Sequence, residues 1–437
     1  MPSSQIDSLH SAALERYRAR NPGSLAALER ARKVLPGGNT RSSLWNGPFP
    51  LCIEGGEGCR IRDVDGHVYV DMLGEFTAGL FGHSSPLLAK ALADAHARGI
   101  NLSSHTPYEV ELAERLCARF PSLELVRFTN SGTEANLMAL TAARLVTGRP
   151  RIVVFEGGYH GGVLTFGHGV SPVNVPFDFA CLPYNDHDAA EAEFAANGAQ
   201  IAAVLIEPMQ GAGGCRPADP AFLQSLRDLS REAGAFLIFD EVQTARMSVG
   251  GAQARLGITP DMTTVGKFFG GGLAFGAFGG TREIMERFDP ARPDALPHAG
   301  TFNNNSLTMA AGVCALDNYL GAEALEALFA RGEALQQDIT RVVKETGLPF
   351  VVTGMGSIMN IHPRTGLGAE ADRKILQLLH LTLQERGYYI AARGLMALSL
   401  AVGDDEISGF LDALAGGLDG LVPDTTFGTP IAKAPVR

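Results

Sequence analysis

A lysine and an aspartate close two apolar runs in this chain. Lys267 ends Thr263-Thr264-Val265-Gly266-Lys267 and leads into Phe268-Phe269-Gly270-Gly271-Gly272, while Asp240 ends Ala235-Phe236-Leu237-Ile238-Phe239-Asp240. Apolar surroundings disfavour an ammonium ion, so such a lysine can attack a carbonyl and serve as a base. An acid at the neighbouring strand end can hold a heteroaromatic nitrogen protonated. The plainer alternatives are an exposed strand cap at Asp240 and a surface lysine. A phosphate-loop lysine is excluded by order, because that motif needs glycines before the lysine and a hydroxyl after it, and here Phe268 follows. Asp240-Glu241 invites a metal, but no histidine or third carboxylate lies at ligand spacing nearby.

Three further segments bear on the same chemistry. Thr129-Asn130-Ser131-Gly132-Thr133-Glu134-Ala135 runs from a strand end into a helix. N–H groups at a helix start, with the Ser131 and Thr133 hydroxyls, suit a phosphate, although a capped helix start reads the same way. Phe155-Glu156-Gly157-Gly158-Tyr159-His160-Gly161-Gly162 flanks a tyrosine with glycines, freeing Tyr159 to stack on a flat ligand or simply making a turn. Gly300-Thr301-Phe302-Asn303-Asn304-Asn305 is a polar loop ahead of a helix and could add donors to a phosphate. Pyridoxal phosphate would use a phosphate cup, a stacking ring, an acid for the pyridine nitrogen and a Schiff-base lysine in one site. Separate structural explanations would have to account for each element alone.

The elements that must position these residues alternate. Strands are expected at 125–129, 152–155, 202–206, 235–240 and 263–267, with helices at 87–98, 107–120, 133–147 and 220–233. Short buried strands separated by helices imply an α/β fold with a mainly parallel sheet covered on both faces, whose strand ends bind ligands. Ahead of this unit, a helix is expected over 7–34 and a hairpin over 58–71 with its turn at Asp65-Gly66. Beyond it, helices at 325–345 and 370–386 and strand-like pieces at 349–362 and 395–401 suggest a smaller α+β domain. The expected division is 1–70 as an N-terminal segment of the small domain, 71–320 as the large domain and 321–437 as the C-terminal small domain.

The 437 residues are 46% hydrophobic and 19% charged, with a net charge of −11. That composition and the lack of a basic stripe argue against nucleic acid and membrane partners. Six scattered cysteines without CxxC spacing read as reduced thiols, and the N-terminus has no signal-peptide core, so a cytoplasmic location is expected.

The motifs Asp63-Val64-Asp65-Gly66, Ser131-Gly132-Thr133-Glu134-Ala135-Asn136, Tyr159-His160-Gly161, Glu207-Pro208, Asp240-Glu241-Val242 and Gly266-Lys267 closely resemble those of class III aminotransferases, pyridoxal-phosphate enzymes of fold type I. The resemblance runs from about residue 25 to residue 415. It implies that Ser131, Gly132 and Thr133 hold the phosphate, Tyr159 and Val242 flank the pyridine, Asp240 binds its nitrogen, Glu207 belongs to the cofactor site and Lys267 forms the Schiff base. It further implies a homodimer in which Thr301 reaches the neighbouring subunit's phosphate. Within the family, Asn39-Thr40-Arg41-Ser42-Ser43 after Pro36-Gly37-Gly38, and Thr301-Phe302-Asn303-Asn304-Asn305, are similar to the β-amino-acid (β-phenylalanine) aminotransferase branch rather than to glutamate-1-semialdehyde 2,1-aminomutase. That branch implies ping-pong transfer of an amino group from a β-amino acid to a 2-oxo acid such as pyruvate or 2-oxoglutarate through pyridoxamine phosphate. Arg41 would bind the donor carboxylate and Arg393 would help bind the acceptor, as a guanidinium makes a directional pair with a carboxylate. The alternatives are the aminomutase and a non-catalytic cofactor-binding protein. Trp45, the only tryptophan, could line the substrate pocket or simply pack. The stretch from Gln243 to Gly250 departs from the family pattern, so no role passes to Arg246.

Overall fold

The computed structural model of the chain describes residues 3–421, so the last part of the expected C-terminal unit, 422–437, lies outside the described residues. Its centre is a seven-stranded sheet in the order Leu125–Thr129, Gly276–Gly280, Met262–Gly266, Phe236–Asp240, Ile201–Ile206, Arg151–Phe155 and Asp178–Leu182. All neighbours pair in parallel except Gly276–Gly280, which runs antiparallel to both of its partners.

Every residue of Ile201–Ile206 is buried, as a strand covered on both faces requires. Successive side chains point to opposite faces. Ile152 and Val154 therefore join Ala135, Ala139 and Ala143 of the helix Gly132–Thr147. Val153 joins Phe222, Leu223 and Leu226 of the helix Pro220–Ala233 on the other side. Because six of the seven strands run in one direction, Thr129, Phe155, Ile206, Asp240 and Gly266 all end at the same edge of the sheet.

Two of the strands, Asp178–Leu182 and Gly276–Gly280, fall outside the sequence expectation. The second consists of Gly276-Ala277-Phe278-Gly279-Gly280, which lacks the branched residues that announce a strand. The reason is close approach: a Cβ on Gly276 would lie 2.1 Å from the Ser131 carbonyl oxygen, and one on Gly279 would lie 2.4 Å from that of Leu125.

The expected helix over 7–34 is two helices, Ser3–Arg20 and Pro22–Ala31. Pro22 offers no N–H and drives the preceding residue out of the helical region. Asn21 accordingly takes φ −123° and ψ 52°, and its amide Nδ2 donates to the Tyr17 carbonyl at 2.8 Å. The first helix lies along Ala369–Glu385, with Arg16 Nε 2.9 Å from Glu385 Oε1 and His10 Nε2 2.7 Å from Gln377 Oε1.

The hairpin forms as Arg60–Asp63 and Val68–Asp71, extended by Ile53–Glu57 on one side and by Tyr388–Tyr389 on the other. Asp63 anchors it by accepting from the Tyr69 hydroxyl at 2.7 Å. A separate antiparallel sheet of Phe350–Met355, Ile358–Pro363 and Leu395–Ala397 packs against the helices Ala322–Thr346 and Ala369–Glu385. No helix of the described residues is long and apolar enough to cross a membrane.

Candidate active site

Asp240 ends its strand with only 4% of its surface exposed. A buried carboxylate must be paired or hydrogen-bonded. Its Oδ2 accepts from Asn136 Nδ2 at 2.8 Å and lies 2.8 Å from His160 Nδ1, while Oδ1 accepts the Val242 N–H at 3.0 Å. Burial alone would lower the His160 pKa, but the hydrogen bond and charge of Asp240, aided by Glu207, carry it above the ordinary histidine value. Asn136 is oriented in turn, since its Oδ1 accepts from the Thr264 hydroxyl at 2.7 Å. Asn136 and His160 stand inside the motifs that singled out Ser131 and Tyr159, yet sequence reasoning gave neither a role.

Asp240 and Thr264 are paired in the sheet, and Lys267 follows three residues beyond Thr264. The lysine opens a short 3-10 turn, Lys267–Gly270, at φ 55°. A side-chain-bearing residue in the left-handed region costs about 1–3 kcal/mol and persists where its surroundings over-determine it. Lys267 Nζ donates to the Phe76 carbonyl at 2.8 Å and to Thr77 Oγ1 at 2.7 Å. Burial pulls its pKa down to about 8; the charges of Asp240 and Glu207 oppose the shift, and Arg246 and Arg393 reinforce it.

At the far end of the site, Ser131 caps the helix Gly132–Thr147, its hydroxyl accepting from the Glu134 N–H at 3.2 Å and its carbonyl from the Ala135 N–H at 3.0 Å. The N–H groups of Gly132 and Thr133, in the first turn, are left for a ligand. A Cβ on Gly132 would lie 2.9 Å from Val242, and one on Gly161 would lie 2.1 Å from Thr133 Oγ1. The Tyr159 loop is therefore pressed onto the helix start. Tyr159 itself is 46% exposed, and its N–H donates to Glu207 Oε2 at 3.0 Å. Glu207 Oε1 accepts the Gly211 N–H at 3.2 Å, and burial raises the carboxyl to about 7 against the opposing charge of His160.

One cavity of about 290 Å³ is lined by Ser131, Gly132, Thr133, Tyr159, Glu207, Asp240, Val242 and Lys267. It offers helix-start donors, a buried carboxylate, an aromatic ring, a valine and an amine. The fit to pyridoxal phosphate rests on Asp240: Asn136 Nδ2 and the Val242 N–H donate to this buried carboxylate beside His160, and it lines the cavity with Tyr159 and Val242. A second cavity of about 530 Å³ lies beside Glu75 and Phe76 and is lined by residues such as Leu28, Leu44 and Leu51, but by none of these eight.

The remaining candidates lie outside the smaller cavity. Arg41 is exposed and pairs with Glu75, and its guanidinium lies 5.6 Å from the Phe76 ring centroid. Arg393 lies 5.3 Å from the same ring. Phe76 thus joins both arginines to Lys267, a link that sequence reasoning missed. Thr301 is exposed and does not line the cavity of its own chain, although Asn303 nearby accepts from Asn130 Nδ2 at 2.9 Å. Trp45 lies against Arg32, 45% exposed. Arg246 is buried, donates to the Leu398 carbonyl, and is lowered to about 9 by burial.

This sheet edge and its donor set fit one family, and the chain belongs to it: residues 42–416 match aminotransferase class-III, whose members are pyridoxal-phosphate enzymes. The chain is 47% identical to the β-phenylalanine transaminase of Variovorax paradoxus over 432 residues, covering 97% of this chain and 99% of that protein. It is 42% identical to a glutamate-1-semialdehyde 2,1-aminomutase of Thermomicrobium roseum, covering 78% of this chain and 83% of that one. The solved structure of a β-phenylalanine aminotransferase from Variovorax paradoxus superposes with a TM-score of 0.92 at 47% identity, over 95% of this chain and 98% of that one. The fold is that of the fold type I aminotransferases.

Proposed function

We propose that this aminotransferase takes the amino group of a β-amino acid of the β-phenylalanine type and passes it to a 2-oxo acid such as 2-oxoglutarate or pyruvate. The observation that carries the catalytic assignment is the convergence of Lys267, Asp240 and the Ser131–Thr133 helix start on one cavity. The 47% identity to a β-phenylalanine transaminase over nearly the whole chain supports the choice of donor.

In this reading, pyridoxal phosphate, when bound, supplies the electron sink that makes a carbon beside the donor nitrogen acidic. Ser131, Gly132 and Thr133 would hold its phosphate, and Tyr159 and Val242 would contact its ring. Asp240 would meet the ring nitrogen, and the contacts of His160 and Asn136 hold Asp240 in place. Lys267 Nζ would hold the cofactor through its carbonyl, and as a free amine with a pKa lowered by burial it would carry the proton taken from the donor carbon. Arg41 receives the donor carboxylate, and Arg393 helps to receive that of the acceptor.

The assembly proposed is a homodimer with shared sites. Thr301 faces outward with Phe302, which is 57% exposed, and Ile100 and Leu102 are also exposed apolar residues. A second copy would cover them and bring its Thr301 to the phosphate. The proposed division remains 1–70, 71–320 and 321–437, with the first part joined to the last through the strand Tyr388–Tyr389 and the helix Ala369–Glu385.

The test is incubation of the cofactor-loaded protein with β-phenylalanine and 2-oxoglutarate. Glutamate should form in step with loss of the donor. No transfer, together with conversion of glutamate-1-semialdehyde to 5-aminolevulinate, would replace this reading with the aminomutase.

A further inference from the structure

We propose that Glu75 is a specificity-determining residue: it occupies Arg41 as a built-in carboxylate between substrates and competes there with the carboxylate of the incoming donor. The proposal rests on the reading of Arg41 as the receptor of that carboxylate. Its physical basis is the segment Gly74–Thr77, four consecutive residues with φ of 54°, 48°, 52° and 78°. Three of the four carry side chains in a region that side chains disfavour, so contacts must hold the turn in place.

Beside the turn's own backbone bonds and that of the Gly74 N–H to Asp71 Oδ1, its side chains and the Phe76 carbonyl reach the proposed machinery. Glu75 Oε1 accepts from Arg41 Nη1. The Phe76 ring lies against the guanidinium groups of Arg41 and Arg393, and its carbonyl, with Thr77 Oγ1, accepts from Lys267 Nζ. The turn therefore sets a carboxylate on the one arginine and an acceptor pair on the amine. A donor approaching this site carries the same two functions, a carboxylate and an amino group.

The two arginines differ. Arg41 is paired with an acid, whereas Arg393 forms no ion pair among the described residues. The Arg41 and Glu75 side chains are 46% and 55% exposed, and an ion pair this open to water is weak. A donor tethered through its amino group presents its carboxylate at high local concentration and can displace Glu75. An amine without a carboxylate leaves the pair intact and gains nothing from its removal. Glu75 thus raises the threshold for carboxylate-bearing donors and narrows their advantage over simple amines.

The probe is 3-phenylpropionate, which has the carboxylate and aromatic ring of the donor but no amine, titrated calorimetrically into the cofactor-loaded enzyme. Glu75→Gln removes the charge, and Glu75→Asp shortens its reach in a residue type that tolerates a left-handed backbone, so either folded variant decides the matter. Binding should tighten by about threefold or more in either variant, the range set by a weak exposed pair. KM for β-phenylalanine should fall in parallel, while KM for 1-phenylethylamine stays unchanged. Added to Arg41→Ala, either change should have no effect. If Arg41→Ala weakens 3-phenylpropionate at least tenfold but neither Glu75 variant tightens it, the role of Glu75 is wrong and the reading of Arg41 survives. If Arg41→Ala leaves binding unchanged, the reading of Arg41 falls and the proposal falls with it.

Discussion

His160 Nδ1 lies 2.8 Å from Asp240 Oδ2 with both side chains almost wholly buried, so the acid proposed to govern the cofactor is itself governed by a histidine. Removing one partner of a buried charged pair costs about 3–5 kcal/mol, of which only a part is expressed at the reacting centre. His160→Leu should lower kcat by about ten- to a hundredfold with little change in KM. His160→Gln, which keeps a donor, should recover part of the loss. Steady-state kinetics of the two variants side by side would show this, and equal losses would mean that His160 only fills space.

The lowered pKa of Lys267 sets a pH dependence. The free amine is the nucleophile, so capture of pyridoxal phosphate by the apoenzyme should accelerate as pH rises through about 8 and then level off, rather than climbing toward the ordinary lysine value of 10.5. Stability follows the same shift. Between about 8 and 10.5 the unfolded chain holds a proton that folded Lys267 has released, so this residue makes the apoenzyme more stable as pH rises through that window. Stopped-flow capture rates and denaturant midpoints, compared with Lys267→Ala, would isolate both effects.

Much of this site was legible because its residues stand at strand ends beside glycines. Asp240 and Lys267 each follow a run of buried residues and Tyr159 stands four residues past another, and a mainly parallel alternation predicts that such ends share one edge. Glu75, Phe76 and Thr77 were not legible. Left-handed backbone is announced by glycine, and only Gly74 in that turn is one. Gly276–Gly280 was hidden for the opposite reason, since close backbone approach stripped the strand of the side chains that would have marked it. The break at Asn21 could have been read from Pro22, because a proline inside a helical pattern ends or kinks the helix.

Close approach also makes Gly161 sensitive. It has φ +129°, and a Cβ there would lie 2.1 Å from Thr133 Oγ1 and 2.5 Å from Thr133 Cβ. Gly161→Ala should therefore push the Tyr159 loop away from the helix start, destabilising the protein by about 2–3 kcal/mol and weakening pyridoxal phosphate more than tenfold. Equilibrium dialysis of the cofactor alongside thermal unfolding would register both losses.

Thr301 separates an isolated chain from the proposed shared site. If the partner's phosphate is its target, Thr301→Ala should weaken the cofactor by about tenfold, the worth of one hydrogen bond to a charged group. A mixed dimer of Thr301→Ala and Lys267→Ala chains should then contain one site carrying both defects and one carrying neither. Recovery of about half the activity per dimer in such a mixture would support the arrangement; sedimentation would check the dimer directly.

The proposed chemistry stands on Lys267 in the cavity it shares with Asp240. The most direct measurement adds β-phenylalanine to the cofactor-loaded protein and follows the visible absorbance of the bound cofactor, in the native chain and in Lys267→Ala. The native protein should show a band that borohydride bleaches and that the donor discharges, with turnover restored by 2-oxoglutarate; the variant should lose turnover by several orders of magnitude. An unchanged rate in Lys267→Ala would contradict the account.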